Sequence, residues 1–179
     1  MYILLCGLQS PINVGMILRS AEVYGHTVAI NDPFGLFDDA EKLRTISDFA
    51  CGALQRRPPR VVSDPLDLVG GTTGRCVATT VLGSARQAQD FDWRGDDLVL
   101  IGNEYDGLGA ALMERADSRV MIPMPPGYLP KPKSFTPIDS NSSVSHDGAP
   151  SLNTAVATSI LCFLSYLRSS GTGRASSSG

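Results

Sequence analysis

Histidine, cysteine and tryptophan are scarce in this chain: of 179 residues, two are His, four are Cys and one is Trp. With only His26 and His146 as imidazoles, a histidine-built metal site is not expected, because such sites need several nitrogen or sulfur ligands brought together. Cys6, Cys51, Cys76 and Cys162 form no C-x-x-C pair, which removes the usual zinc and dithiol readings. Cys6, Cys76 and Cys162 sit in apolar runs and read as small core residues. No apolar run approaches the roughly 18 residues of a membrane span. The apolar start, Met1 to Gly7, lacks a basic flank and reads as a buried strand rather than a signal peptide. A soluble cytoplasmic protein is therefore expected. Positive charge is not in excess either. Fifteen Lys and Arg against eighteen Asp and Glu leave a net charge of −3, which argues against indiscriminate nucleic-acid binding. No G-x-G-x-x-G follows the first strand and no Walker A sequence occurs, so the common dinucleotide and P-loop readings fail.

What is present is enough apolar residue, 42%, for one ordinary domain core. Short apolar runs alternate with helix-like segments. Tyr2–Cys6, Thr27–Ile30, Arg60–Val62, Cys76–Thr80, Leu98–Ile101 and Arg119–Ile122 read as strands. Val14–Tyr24, Asp38–Ser47, Leu108–Arg115 and Leu152–Leu167 read as helices, with Asp38 or Asp39 capping the second and Ser151 the last. Such alternation predicts an α/β fold, a mostly parallel sheet with helices on both faces. In an open parallel sheet ligands bind at the carboxyl ends of the strands. Here that points to the loops after Thr80, after Ile101 and after Ile122. Leu152–Leu167 is apolar on more than one face, as expected of a central helix or a subunit interface.

Three segments carry chemistry. In the first, Asn13-Val14-Gly15-Met16-Ile17-Leu18-Arg19, Asn13 falls at a helix start, where it can cap, and Arg19 emerges one to two turns on. In the second, Gly102-Asn103-Glu104-Tyr105-Asp106-Gly107, a buried strand releases an acid after a Gly-Asn turn. Glu104 can there fix a buried arginine, a ribose or a backbone amide, or simply cap a helix. The third is split between Ile122-Pro123-Met124 and Ser151-Leu152-Asn153-Thr154-Ala155-Val156-Ala157. Asn153 is placed in the first turn of the last helix, where backbone N–H groups lack partners.

Taken in this order, the three segments resemble the SpoU (TrmH) family of the SPOUT methyltransferase superfamily, whose marks are N-x-G-x-x-x-R, a strand ending in G-N-E, and I-P-M followed by S-L-N-x-x-x-A. The resemblance covers roughly residues 1–168, a single domain. Its small size, and Asp39-Ala40-Glu41-Lys42-Leu43-Arg44, resemble the compact tRNA branch. The resemblance implies a C-terminal deep trefoil knot, which pattern reasoning alone would not propose, a homodimer, S-adenosylmethionine as cofactor, and methylation of a ribose 2′-hydroxyl on RNA, tRNA foremost. By resemblance, Arg19 activates the hydroxyl, Asn13 orients Arg19 or the ribose, Glu104 anchors the arginine or its loop, and Ser151 and Asn153 contact target or cofactor. The adenosine pocket would be lined by Thr80, Val81, Leu82, Gly102, Asn103, Glu104, Ile122, Met124, Ser151, Leu152 and Asn153.

Lys42, Arg44, Arg56, Arg57 and Arg60 crowd one stretch against a single acid, Asp48. They read as an RNA phosphate patch or as a solvated face. The family normally keeps I-P-M and S-L-N close in sequence, whereas here residues 125–150 separate them. This Pro-, Ser- and Gly-rich insertion is either a lid, an RNA-contacting loop or part of an altered pocket, or else a tolerated surface insertion. Residues 169–179, rich in Ser and Gly, read as a flexible tail. The same fold and cofactor acting on rRNA, a base nitrogen or a small molecule is the alternative function. A non-catalytic RNA- or cofactor-binding protein is a further one.

Overall fold

The computed structural model describes residues 1–81, 84–125 and 152–171. They form one seven-stranded sheet in the order β3-β2-β1-β6-β4-β7-β5, with every strand pair parallel. The strands are β1 Tyr2–Cys6, β2 Thr27–Asn31, β3 Arg60–Val62, β4 Cys76–Thr79, β5 Arg86–Gln87, β6 Leu98–Ile101 and β7 Ser118–Met121. The helices are α1 Pro11–Val23, α2 Ala40–Ala50, α3 Ala53–Arg56, α4 Pro65–Gly70, α5 Ala110–Arg115 and α6 Thr154–Gly171.

The central strands are apolar throughout because both faces of the sheet are covered. Alternate residues serve alternate faces. Ile3, Leu5, Val99 and Ile101 join the large core beneath α1, α2 and α6. Leu4, Cys6, Leu98 and Leu100 join Val69 of α4 and Leu112 of α5 on the other side. Helices on both faces were expected from the alternation of elements. Cys6, Cys76 and Cys162 are buried as expected, and burial pushes their thiols up to about 12, 11 and 12 respectively.

Several boundaries differ from the sequence expectation, each for a local reason. The first helix begins at Pro11, not Val14, because Ser10 is its N-cap: the Ser10 hydroxyl accepts from the Asn13 amide at 3.2 Å, and proline suits the first helical position. Of the two acids proposed as caps of α2, Asp39 serves, accepting from the amides of Glu41 and Lys42. The last helix starts at Thr154 and is capped by Asn153, whose Oδ1 accepts from the amides of Ala155 at 2.8 Å and Val156 at 3.3 Å. It runs on to Gly171, into the stretch read as tail. The short elements α3, α4 and β5 have too few residues to show a period. Leu82, Ser151, most of the 125–150 insertion and residues 172–179 lie outside the described residues.

Candidate functional site

Strand order reverses between β1 and β6. From β1 the chain moves outward through β2 to β3, then returns to β4 on the far side of β6. A crevice opens at the carboxyl ends of strands where such a reversal occurs. The loop after β1 carries Gln9 and Ser10 and leads into Asn13, and the loop after β6 carries Gly102 to Gly107, so these two segments meet there although 91 residues separate Asn13 from Glu104.

Their meeting is a hydrogen-bonded chain. The Asn13 side-chain amide donates to Glu104 Oε1 at 2.7 Å. The Gln9 backbone amide donates to Glu104 Oε2 at 3.4 Å. On its other side, Asn13 Oδ1 accepts from the Asn153 side-chain amide at 3.0 Å, while Asn153 Oδ1 caps α6. Asn13 is 6% exposed, so its polar atoms need these partners. Because Ser10 caps the helix, the Asn13 side chain is available to bridge the other two segments. Glu104 fixes an asparagine side chain and a backbone amide rather than an arginine.

The loop holding Glu104 is tightly closed. Asn103 and Gly107 exchange backbone hydrogen bonds of 3.3 Å in both directions, and Asn103 Oδ1 accepts from the amides of Tyr105 at 2.8 Å and Asp106 at 2.7 Å. A Cβ on Gly102 would stand 2.2 Å from the Gly107 carbonyl carbon, so no larger residue closes this turn. Thr80, Gly102 and Ile122 directly follow β4, β6 and β7, three neighbouring parallel strands. Thr80, Gly102, Asn103, Glu104, Ile122 and Met124 are half-buried, while Val81, Leu152 and Asn153 are exposed. Loops at the carboxyl ends of neighbouring parallel strands form the ligand crevice of an open α/β sheet.

Arg19 is not part of this cluster within one chain. It is exposed, and its guanidinium donates to Cys51 Sγ at 3.3 Å. Six residues from Asn13, it stands about 9 Å further along the axis and on a different side of α1. Its position follows from Gly15, one helical turn before it. A Cβ there would lie 2.6 Å from the Ile46 carbonyl oxygen and 2.8 Å from Phe49 Cβ, so the glycine lets α2 pack close enough to set its C-terminal Cys51 beside Arg19.

The basic stretch is partly committed to intramolecular partners. Arg56 makes a two-pronged pair with Glu22, at 2.8 and 2.7 Å. Arg57 donates to the His26 carbonyl at 3.1 Å, and Lys42 lies near Asp39 at 3.8 Å. Arg44 and Arg60 are both exposed. The sequence reading missed Gln9 and Ser10. The Ser-Pro pair was the available signal for the latter.

Residues 1–129 match the model of the SpoU rRNA Methylase family. The chain is 34% identical over 125 residues to the 23S rRNA (uridine(2479)-2′-O)-methyltransferase of Streptomyces viridochromogenes, covering 64% of this chain and 42% of that protein. It is 30% identical over 118 residues to the tRNA (cytidine(34)-2′-O)-methyltransferase of Beijerinckia indica, covering 65% of this chain and 72% of that protein. Among solved structures, the SpoU methyltransferase AviRb from Streptomyces viridochromogenes, in complex with AdoMet, superposes with a TM-score of 0.68 at 27% identity, covering 94% of this chain and 57% of that one.

Proposed function

Because this chain belongs to the SpoU rRNA Methylase family, we propose that it is an S-adenosylmethionine-dependent RNA methyltransferase acting on a ribose 2′-hydroxyl, with tRNA as its substrate. The observation that carries this reading is the Glu104–Asn13–Asn153 chain of hydrogen bonds, which joins the three motif-bearing segments at the strand-order reversal. The tRNA assignment is supported by the likeness to the tRNA (cytidine(34)-2′-O)-methyltransferase of Beijerinckia indica, 72% of whose length is covered.

The half-buried rim formed by Thr80, Gly102, Ile122 and Met124, with Val81 and Leu152 at its edge, fits an adenosine. Leu82 and Ser151 are assigned to the same pocket by their sequence positions. When bound, S-adenosylmethionine supplies a methyl group on a sulfonium, already a good leaving group. The protein's own work is alignment and stabilisation of charge on the attacking oxygen. Asn13 and Glu104 hold the loop after β6 against α1, and Asn153 ties α6 to both. Arginine keeps its proton to about pH 12 and above. Arg19 is therefore assigned to an RNA phosphate and to the developing alkoxide, with the proton leaving to phosphate or water.

Arg19 reaches such a site most simply from a second copy, and a homodimer is part of this reading. Support comes from the exposed apolar side chains of α6, Val156, Phe163, Tyr166 and Leu167, and of α1, Ile12 and Met16. A knotted C-terminal crossing completes the proposal, on family grounds.

The test is incubation of the purified chain with methyl-labelled cofactor and total tRNA or rRNA, followed by digestion to nucleosides. A labelled 2′-O-methylnucleoside from tRNA is expected. Label in rRNA alone would overturn the substrate assignment, and label in a base would overturn the acceptor. Arg19→Ala should abolish turnover and leave cofactor affinity within about a few-fold, since the residue acts on the acceptor side. Full single-turnover activity of that variant would remove Arg19 from the mechanism.

A further inference from the structure

Tyr105 follows Glu104 directly, and 60% of it is exposed to solvent. The loop that carries it is not slack. Its ends are tied by the Asn103–Gly107 backbone pair, its tip by the Asn103 side chain, and its neck by the Gly102–Gly107 contact. Neighbouring Cα atoms lie about 3.8 Å apart, so an aromatic residue is presented beside the carboxylate that anchors Asn13. Aromatic surface in water gains burial energy when a flat partner covers it. Nucleobases displayed from single strands are such partners, and every base offers a π-face.

Other exposed aromatics lie away from this loop: Phe34 follows β2, and Phe163 and Tyr166 are on α6, beside Tyr24 at centroid distances of 6.0 and 5.7 Å.

We infer that Tyr105 is the stacking platform for the base of the nucleotide being methylated. The inference rests on the RNA-methyltransferase reading above. Stacking tolerates any base, so Tyr105 positions the target nucleotide and leaves its choice to other contacts. The ring, not the hydroxyl, carries the effect.

The test compares Tyr105→Ala, Tyr105→Phe and Tyr105→Trp in the full chain, using the RNA that the wild type methylates. Removing one base–aromatic stack should raise KM and Kd for RNA about 5- to 150-fold in the alanine variant. The phenylalanine and tryptophan variants should stay within about threefold of wild type, since both retain a stacking face. Cofactor Kd should not change in any of them. RNA carrying 2-aminopurine at the target position should lose fluorescence on binding wild type and Tyr105→Phe, and keep it with Tyr105→Ala. Unchanged RNA binding by the alanine variant, or a weakened cofactor Kd with RNA binding intact, would overturn the inference. A wild-type chain that methylates no RNA would overturn both this and the parent reading, and the wild-type arm shows that outcome separately.

Discussion

Asn13→Ala removes the central link of the site, and its effect can be worked from the structure. Two hydrogen bonds disappear. The 2.7 Å bond to the Glu104 carboxylate is charge-assisted, a type that contributes about 1.5–3 kcal/mol. The 3.0 Å bond from the Asn153 amide is neutral and contributes about 0.5–1.5 kcal/mol. Glu104 and Asn153 both reach solvent, so each can rehydrate, and the lower ends apply. The expected destabilisation is about 2 kcal/mol, reduced by up to about 0.7 kcal/mol because alanine is the better helix former at this position. The double-mutant cycle of Asn13→Ala with Glu104→Ala cancels that propensity gain and isolates the pair. Urea unfolding of the four proteins should give a coupling of about 1.5 kcal/mol. Glu104→Gln keeps an acceptor oxygen and should retain a neutral bond of about 1 kcal/mol. If the two alanine changes add to within about 0.5 kcal/mol, the Asn13–Glu104 contact does not hold the crevice together, and the site is not built as described.

Gly15→Val should destabilise the chain by about 1–3 kcal/mol, because its side chain meets the backbone of α2; stability equal to wild type would mean that α1 and α2 do not approach as closely as described. Arg44→Glu should weaken RNA binding and reduce the slope of log affinity against log salt by about 0.7–0.9 for each phosphate no longer neutralised. Arg56→Gln should do less than Arg44→Gln, because Glu22 already occupies the Arg56 guanidinium. Equal effects in salt-titrated binding would return the stretch to an undifferentiated basic face. His26 is buried against Met1 and the Cys162 carbonyl, and burial lowers its pKa. A folded pKa below the unfolded one means the unfolded chain takes up the proton first. Stability should therefore fall as pH drops below about 6.5, the ordinary histidine value. His26→Gln should shrink the difference between urea midpoints at neutral and acidic pH; an undiminished difference would place the pH dependence elsewhere.

The legible parts of the fold were those governed by a few neighbouring residues. Leu98–Ile101 announced a buried strand through four consecutive apolar side chains, and β3 was read at its observed bounds. The capping of α2 followed from Asp39 and its two neighbouring amides. Where two local candidates competed, the reading went wrong. Asn13 has the right chemistry to cap, but Ser10 before Pro11 does it. Asn153 caps α6, a role the sequence offered to Ser151, which lies outside the described residues. Both corrections depend on where those side chains are needed, which a local pattern does not contain.

The linear chain, through apolar periodicity, determined that the fold is α/β, and its motifs singled out Asn13, Glu104 and Asn153 as candidates. Tertiary structure decided that these three touch one another, that Arg19 turns instead toward Cys51, and that Arg56 and Arg57 are engaged within the molecule. The physical reason is range. Periodicity and capping act over a few residues, whereas strand order and contacts spanning 91 and 140 positions emerge only when the whole sheet and its covering helices pack at once.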